Sequence, residues 1–234
     1  MNGPRSSEKR WRSNITLKTI ELSSLDSSHI DPTILIWLHG YRENETIYPE
    51  WLLSLKNLRV ISVRAPLEIH NNAYAWCNVE FTPNGPIDDP CEAEESRIAL
   101  LSYIEKLPAS SDAPRNVYLA GFSQGATIAL TAAISYPERI AGVASFCSRV
   151  IPEYLPEIHE SLALRTLPIL LINGTEDAIL PLRHARASRY ALQQLTENLV
   201  WREAPLRHEM TKYCADIFME WMNSINGTSQ RRIL

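Results

Sequence analysis

The stretch Val117-Tyr118-Leu119-Ala120-Gly121-Phe122-Ser123-Gln124-Gly125-Ala126 decides the reading of this chain. An apolar run of strand character stops at G-x-S-x-G, and an Ala-rich segment of helical character begins at once. In a nucleophile elbow, small residues flank the serine because its backbone is strained and because strand and helix approach closely. The five residues alone also fit a plain strand-to-helix turn with a serine N-cap. The strand before them and the helix after them favour the elbow.

On either side of this stretch lie further buried strands. Thr33-Ile34-Leu35-Ile36-Trp37-Leu38 is apolar at nearly every position and ends at His39-Gly40, which is the pattern of a strand covered on both faces. Leu58 to Val63, Asn116 to Ala120, Ile140 to Phe146, Leu167 to Ile172 and Leu199 to Glu203 read the same way. Asn14 to Leu22 alternates loosely and feeds a Ser/Asp turn at Ser23 to Asp31. Helical segments separate the strands. Glu92 to Leu107 is the clearest, with Ile98, Leu101, Ile104 and Leu107 on one stripe and acids in its first turn; Gln124 to Tyr136, His184 to Glu197 and Glu209 to Ile225 follow. Strands alternating with helices predict an α/β domain, a mostly parallel doubly wound sheet flanked by helices. No repeat or linker divides the 234 residues, so a single domain spanning 1–234 is expected, with 1–13 a flexible polar N-terminus.

Composition narrows the function classes. With 23 Lys+Arg against 27 Asp+Glu there is no basic excess to neutralise phosphates, so no nucleic-acid partner is expected. No apolar run approaches the roughly 18 residues needed to span a bilayer, and no stable membrane insertion is expected. The polar N-terminus lacks the apolar core of a secretory signal, which points to a cytoplasmic protein. Cys77, Cys91, Cys147 and Cys214 form no C-x-x-C pair and give no basis for a metal site. Reduced thiols are expected, with pairing of Cys77 and Cys91 left open for an oxidising compartment.

A nucleophilic serine needs a base and an acid to orient it, and sheets with this elbow supply them in the order Ser, Asp/Glu, His. Between Ser123 and His208 the only aspartate is Asp177, in a loop just after the strand Leu167 to Ile172, where open α/β sheets bind ligands. Glu176 is the alternative acid. Of the histidines after this acid, His184 enters a helix, whereas His208 follows the strand Leu199 to Glu203; His208 is the candidate base. The oxyanion needs fixed N–H donors. Gln124, just after the nucleophile, supplies one, and Tyr41 in Leu38-His39-Gly40-Tyr41 the other. His39 is read as a loop-fixing residue.

Taken in order, LHG at 38–40, RAP at 64–66, Trp76 in AWCNV, GFSQGA at 121–126, GTED at 174–177 followed by AILP, and the late His208 resemble the phospholipase/carboxylesterase family, which includes acyl-protein thioesterases. The resemblance covers roughly Thr33 to Met222. It implies a single-domain α/β-hydrolase fold without a large cap and a serine hydrolase acting on carboxylic esters or thioesters with no cofactor. It places the nucleophile on Ser123, the acid on Asp177, the base on His208 and the oxyanion donors on Tyr41 and Gln124. After HG the chain departs from the family's Gly- and Asp-containing stretch with the bulkier Tyr41-Arg42-Glu43-Asn44. The aromatic, proline-stiffened segment Ala73 to Pro90 is expected to border the substrate pocket, with Trp76 as its contact. Carboxylesterase action is the leading reading; an acyl-protein thioesterase or lysophospholipase, or a hydrolase-fold ligand-binding protein with a vestigial site, are the alternatives. Oligomeric state is left open.

Overall fold

Alternation along Thr33–Leu38 explains how the domain is layered. Ile34, Ile36 and Leu38 join one apolar cluster and Leu35 and Trp37 the other, and all five are buried. A strand apolar on both faces is stable only between two covering layers.

The computed structural model describes residues 13–22, 33–56, 58–107, 117–151 and 158–230. The turn expected at Ser23 to Asp31, Asn116 and most of the polar N-terminus lie outside them. In chain order come β1 (Thr19–Glu21), β2 (Thr33–Leu38) and β3 (Leu58–Val63), then β4 (Leu67–His70), β5 (Ala73–Ala75), β6 (Val79–Thr82) and β7 (Gly85–Asp88). The chain continues through α1 (Pro90–Glu105), β8 (Val117–Phe122), α2 (Ser123–Ser135), β9 (Ile140–Phe146) and the short α3 (Leu162–Arg165). It ends with β10 (Ile169–Gly174), α4 (Leu182–Leu195), β11 (Leu199–Ala204) and α5 (Lys212–Gln230).

Seven strands form one sheet in the order β1-β3-β2-β8-β9-β10-β11, parallel except for the edge strand β1, which runs antiparallel to β3. Helices α1, α2 and α4 cover one face; α5 and the 3-10 turn Glu50–Ser54 cover the other, where Phe218, Trp221 and Met222 meet Trp37 and Phe146. No helix among the described residues is long and apolar enough to cross a membrane.

β2 lies between β3 and β8. The chain leaves β2 toward one edge and returns beside it to build toward the other, which opens a crevice at the carboxyl ends of β2 and β8. The elbow and the HG loop both lie there.

Element boundaries differ from the sequence reading where local chemistry intervenes. β10 starts at Ile169 rather than Leu167 because Pro168 has no N–H and the Leu167 N–H is taken by Leu164 O at the end of α3. It extends to Gly174 because Asn173 and Gly174 pair with Glu203 and Ala204 of β11. α1 starts early, at Pro90, since Asp89 caps it by accepting the N–H groups of Cys91 and Glu92. α5 starts late, at Lys212, leaving His208 on a longer loop. Between β3 and α1 the chain makes two small hairpins, β4–β5 and β6–β7, rather than a large cap.

Candidate active site

β8 delivers Ser123 to the crevice and α2 begins at that residue, so its backbone must turn sharply: Ser123 has φ 52°, in the left-handed region a non-glycine residue avoids. The turn is possible because its neighbours are small. A Cβ on Gly125 would lie 2.6 Å from the Leu38 carbonyl carbon and closer still to His39 O. The first turn of α2 therefore rests directly on the end of β2, and only glycine fits.

Two further loops close on Ser123. The Ser123 hydroxyl donates to His208 Nε2 at 2.8 Å, and His208 Nδ1–H donates to Asp177 Oδ2 at 2.7 Å. The remaining Asp177 oxygen accepts the N–H groups of Ile179 (2.9 Å) and Leu180 (2.8 Å), so both carboxylate oxygens are satisfied and the side chain is buried. The His208 ring packs on Phe122, centroids 5.0 Å apart, which fixes its tilt. The structure thus brings together Ser123, Asp177 and His208, residues far apart in sequence. Glu176 is exposed, and His184 instead lies in α4 with Nε2 on Asn84 O. Of the residues weighed from the sequence, Asp177 and His208 are the ones placed in line with Ser123, and Glu176 and His184 are not.

The acid and histidine loops are laced together by backbone. Thr175 N–H donates to Ala204 O at 2.8 Å and Glu176 N–H to Leu206 O at 3.1 Å. Gly174 lies against the same loop: a Cβ there would be 2.8 Å from the Leu206 carbonyl carbon and 2.9 Å from Arg207 O.

Tyr41 and Gln124 both line the cleft beside Ser123. The Gln124 N–H belongs to the first turn of α2, where no preceding helical carbonyl exists, and the Tyr41 N–H has no acceptor among the described residues. The HG loop is held from several sides. Gly40 N–H donates to Glu43 Oε2 at 2.7 Å, and Arg42, with φ 67°, takes the left-handed turn that a glycine would take more cheaply. Arg42 N–H donates to Tyr74 O and Tyr74 N–H to Glu43 O, each at 2.9 Å, stitching the loop to β5. Burial pushes the Glu43 carboxyl above its ordinary range, against the opposing effects of the Gly40 N–H and His208.

His39 has the loop-fixing position expected of it. It is fully buried, with Nδ1–H donating to Gly40 O (2.8 Å) and Nε2 accepting Ala65 N–H (3.0 Å). Burial lowers its pKa to about 4, so the ring is neutral. Trp76, expected at the pocket border, is buried behind the site and is not part of the cleft lining. Its Nε1–H donates to His39 O at 2.9 Å and its backbone N–H to Gln124 Oε1 at 2.8 Å. It supports both proposed oxyanion segments from below, because its ring N–H holds the His39 carbonyl and its backbone N–H holds the Gln124 side chain.

The cleft encloses about 370 Å³, including its open mouth. Besides Ser123 and His208 it is lined by Phe81 and Pro86 of the β6–β7 hairpin, Ile179 and Leu180 of the acid loop, and the ion pair of Arg149 with Asp88. The sequence reading missed Arg149 and Asp88. The available signal was position, since Arg149 closely follows the carboxyl end of the apolar strand Ile140 to Phe146, where ligands of open α/β sheets bind. Cys147 Sγ lies within 4.8 Å of ligand atoms of Asp177 and His208. Burial and the Asp177 charge push this thiol up to about 12. A protonated thiol beside a carboxylate and an imidazole already engaged by each other is a poor cation donor set.

Fold and site together define an α/β-hydrolase. The family model for phospholipase/carboxylesterase matches residues 27–228, and the chain belongs to that family. It is a carboxylesterase-type hydrolase. Among characterised relatives it is similar to Carboxylesterase SOBER1 of Arabidopsis thaliana, 27% identical over 218 residues that cover 84% of this chain and 92% of the relative. It also resembles Acyl-protein thioesterase 1 of Kluyveromyces lactis, 30% identical over 117 residues, 48% of each chain. The crystal structure of acyl-protein thioesterase 2 from Zea mays superposes with a TM-score of 0.69 at 18% identity, covering 90% of this chain and 98% of that one; the likeness is one of fold.

Proposed function

We propose that the protein hydrolyses small carboxylic esters through an acyl-enzyme on Ser123, acting as a single catalytic domain. The observation that carries this reading is the continuous hydrogen-bonded line from Ser123 Oγ through His208 to Asp177, at 2.8 and 2.7 Å. His208 Nε2 takes the Ser123 proton as Oγ attacks the ester carbonyl, and the imidazolium formed is stabilised by the buried Asp177 carboxylate. The carbonyl oxygen, now negative, is received by the N–H groups of Tyr41 and Gln124. His208 returns the proton to the departing alcohol, and water repeats the sequence to release the acid. No metal or cofactor enters this scheme. Unpaired cysteines, of which Cys77, Cys147 and Cys214 are buried, suit a reducing compartment, and cytoplasmic action is part of the reading.

A second reading is thioester cleavage or lysophospholipid hydrolysis with a longer acyl chain. The half-exposed Phe81 and Ile179, apolar side chains at the cleft, favour it, and the likeness to an acyl-protein thioesterase supports it. An acyl chain-length series separates the two. The proposal as a whole is tested with a fluorophosphonate probe and Ser123→Ala. Labelling of the native chain, with kcat in the variant lower by on the order of 10³-fold or more, is expected. An unlabelled native chain, or a variant with native turnover, overturns the mechanism, and absence of both labelling and turnover in the native chain favours a ligand-binding protein.

A further inference from the structure

Arg149 and Asp88 form an ion pair at 2.6 Å inside a cleft otherwise lined largely by apolar and small side chains. Their side chains are 14% and 8% exposed, a costly place for charge unless the pair is fully used. Asp88 is fully engaged: Oδ2 accepts from Arg149 Nη2, and Oδ1 faces the Cys77 thiol at 3.7 Å. Arg149 is engaged only in part. Nη2 donates to Asp88 and to Pro86 O (3.1 Å), while Nη1 and Nε have no hydrogen-bond partner among the described residues. A guanidinium carries five N–H donors in a fixed fork, so a largely buried arginine in the cleft with its other nitrogens unpaired among the described residues presents donors to whatever enters.

The β6–β7 hairpin that carries Asp88 is also pinned at its far end, where Asn84 O accepts from Arg183 Nη2 (2.7 Å) and faces His184 Nε2 (2.5 Å). Arg149 is therefore fixed against a tethered wall and is not a surface side chain that happens to fold inward.

Resting on the esterase reading above, we propose that Arg149 makes this cleft a polar subsite, selecting short esters whose cleft-filling half carries a neutral hydrogen-bond acceptor over long unsubstituted alkyl chains. Neutrality follows from Asp88: the pair has little net charge, and a substrate carboxylate would meet the Asp88 carboxylate at close range. A carbonyl, ether or amide oxygen can take the unused N–H donors without that repulsion. Short length follows from the small size of the cleft: its roughly 370 Å³ already counts the open mouth, so the space enclosed by the walls is smaller still.

The test uses matched neutral ester pairs of equal chain length, one member ending in a methyl-ester carbonyl and the other in plain alkyl, with the distinction placed in the acyl half in one pair and in the alcohol half in the other. For the native chain, kcat/KM is expected to favour the acceptor member of at least one pair by roughly tenfold or more, as a hydrogen bond to a charged donor implies. Arg149→Met should bring that ratio near one. If removing the charge partner of Asp88 unfolds the protein, the double variant Arg149→Met with Asp88→Asn removes both charges and should give the same ratio. A native chain that prefers the alkyl member in both pairs, or an undiminished ratio in a folded variant, overturns the proposal. Fluorophosphonate labelling of the native chain keeps this separate from the mechanism: a labelled chain with no acceptor preference sinks the subsite alone, and an unlabelled chain sinks the esterase reading.

Discussion

Replacing Gly174 with alanine tests whether the His208 loop is held in place by backbone contact. The added Cβ would lie 2.8 Å from the Leu206 carbonyl carbon and 2.9 Å from Arg207 O, with Leu206 O nearer still, whereas ordinary contact begins at 3.4 Å. Backbone cannot rotate out of the way as a side chain would, so Leu206 and Arg207 must retreat by on the order of 1 Å, and His208 is the next residue. A misplacement of that size costs about 10²-fold in rate, because the 2.8 Å contact to Ser123 Oγ lengthens toward the limit of a hydrogen bond. Crowding should also cost about 1–3 kcal/mol, seen as a Tm lower by several degrees. The assay is kcat and KM on an activated ester beside thermal unfolding. Gly142→Ala is the control: its Cβ would meet the rings of Trp221 and Tyr118 at 3.1 Å, away from the cleft. The control should lose stability and keep kcat within about twofold. Native kcat for Gly174→Ala, or an equal kcat loss in both variants, would refute the argument.

Three further outcomes follow from the same geometry. Asp177→Asn should lower kcat by on the order of 10⁴-fold, since the amide favours the wrong imidazole tautomer, while exposed Glu176→Gln stays within a few-fold; steady-state kinetics on both reads the ranking, and its reversal moves the acid to Glu176. His39 is neutral in the fold with a pKa of about 4 against 6.5 for a free histidine, so the unfolded chain takes up the proton first. Its contribution is complete above about pH 6.5 and lost as pH falls toward 4, up to about 3 kcal/mol; urea unfolding of the native chain and His39→Gln across that window should show a difference that shrinks with acidity, and a constant difference contradicts it. Of the four cysteines only Cys91 is exposed, and burial raises Cys77 and Cys147. A chromogenic disulfide reagent at pH 8 should therefore titrate one thiol rapidly, three more appearing on unfolding; two fast thiols would place Cys147 within reach of solvent.

Much of this architecture is legible in the sequence for a simple reason. β2 and β3 fall on the residues expected, 33–38 and 58–63, because a strand buried on both faces must be apolar throughout and leaves little freedom in its ends. The elbow reads clearly because backbone contact at Gly125 admits no side chain. The β4–β5 and β6–β7 hairpins do not read. Their strands are three or four residues long, mixed in polarity, and held by distant groups such as Tyr74 on Arg42 and Arg149 on Asp88. Nothing local encodes a pair that is 61 residues apart. Trp76 was legible as important but not as to where: an aromatic among prolines has the composition of a pocket wall, while its place is set by the His39 carbonyl and the Gln124 side chain that accept from it and by the Ser96 hydroxyl that donates to its own carbonyl.

The Asp177 carboxylate holds the backbone of Ile179 and Leu180, and those two residues are also a wall of the cleft. The segment that orients the imidazole is thus the segment that shapes the substrate. In an evolving lineage this joins two traits, the orientation of the imidazole and the shape of the cleft. Side-chain changes at Ile179 can retune which esters fit, because the bond to Asp177 uses only backbone. Insertions or deletions between 177 and 180 cannot, because they would move the acid with the wall. Divergence in substrate choice should therefore accumulate here as substitutions at constant loop length, with changes in length confined to the β6–β7 side of the cleft.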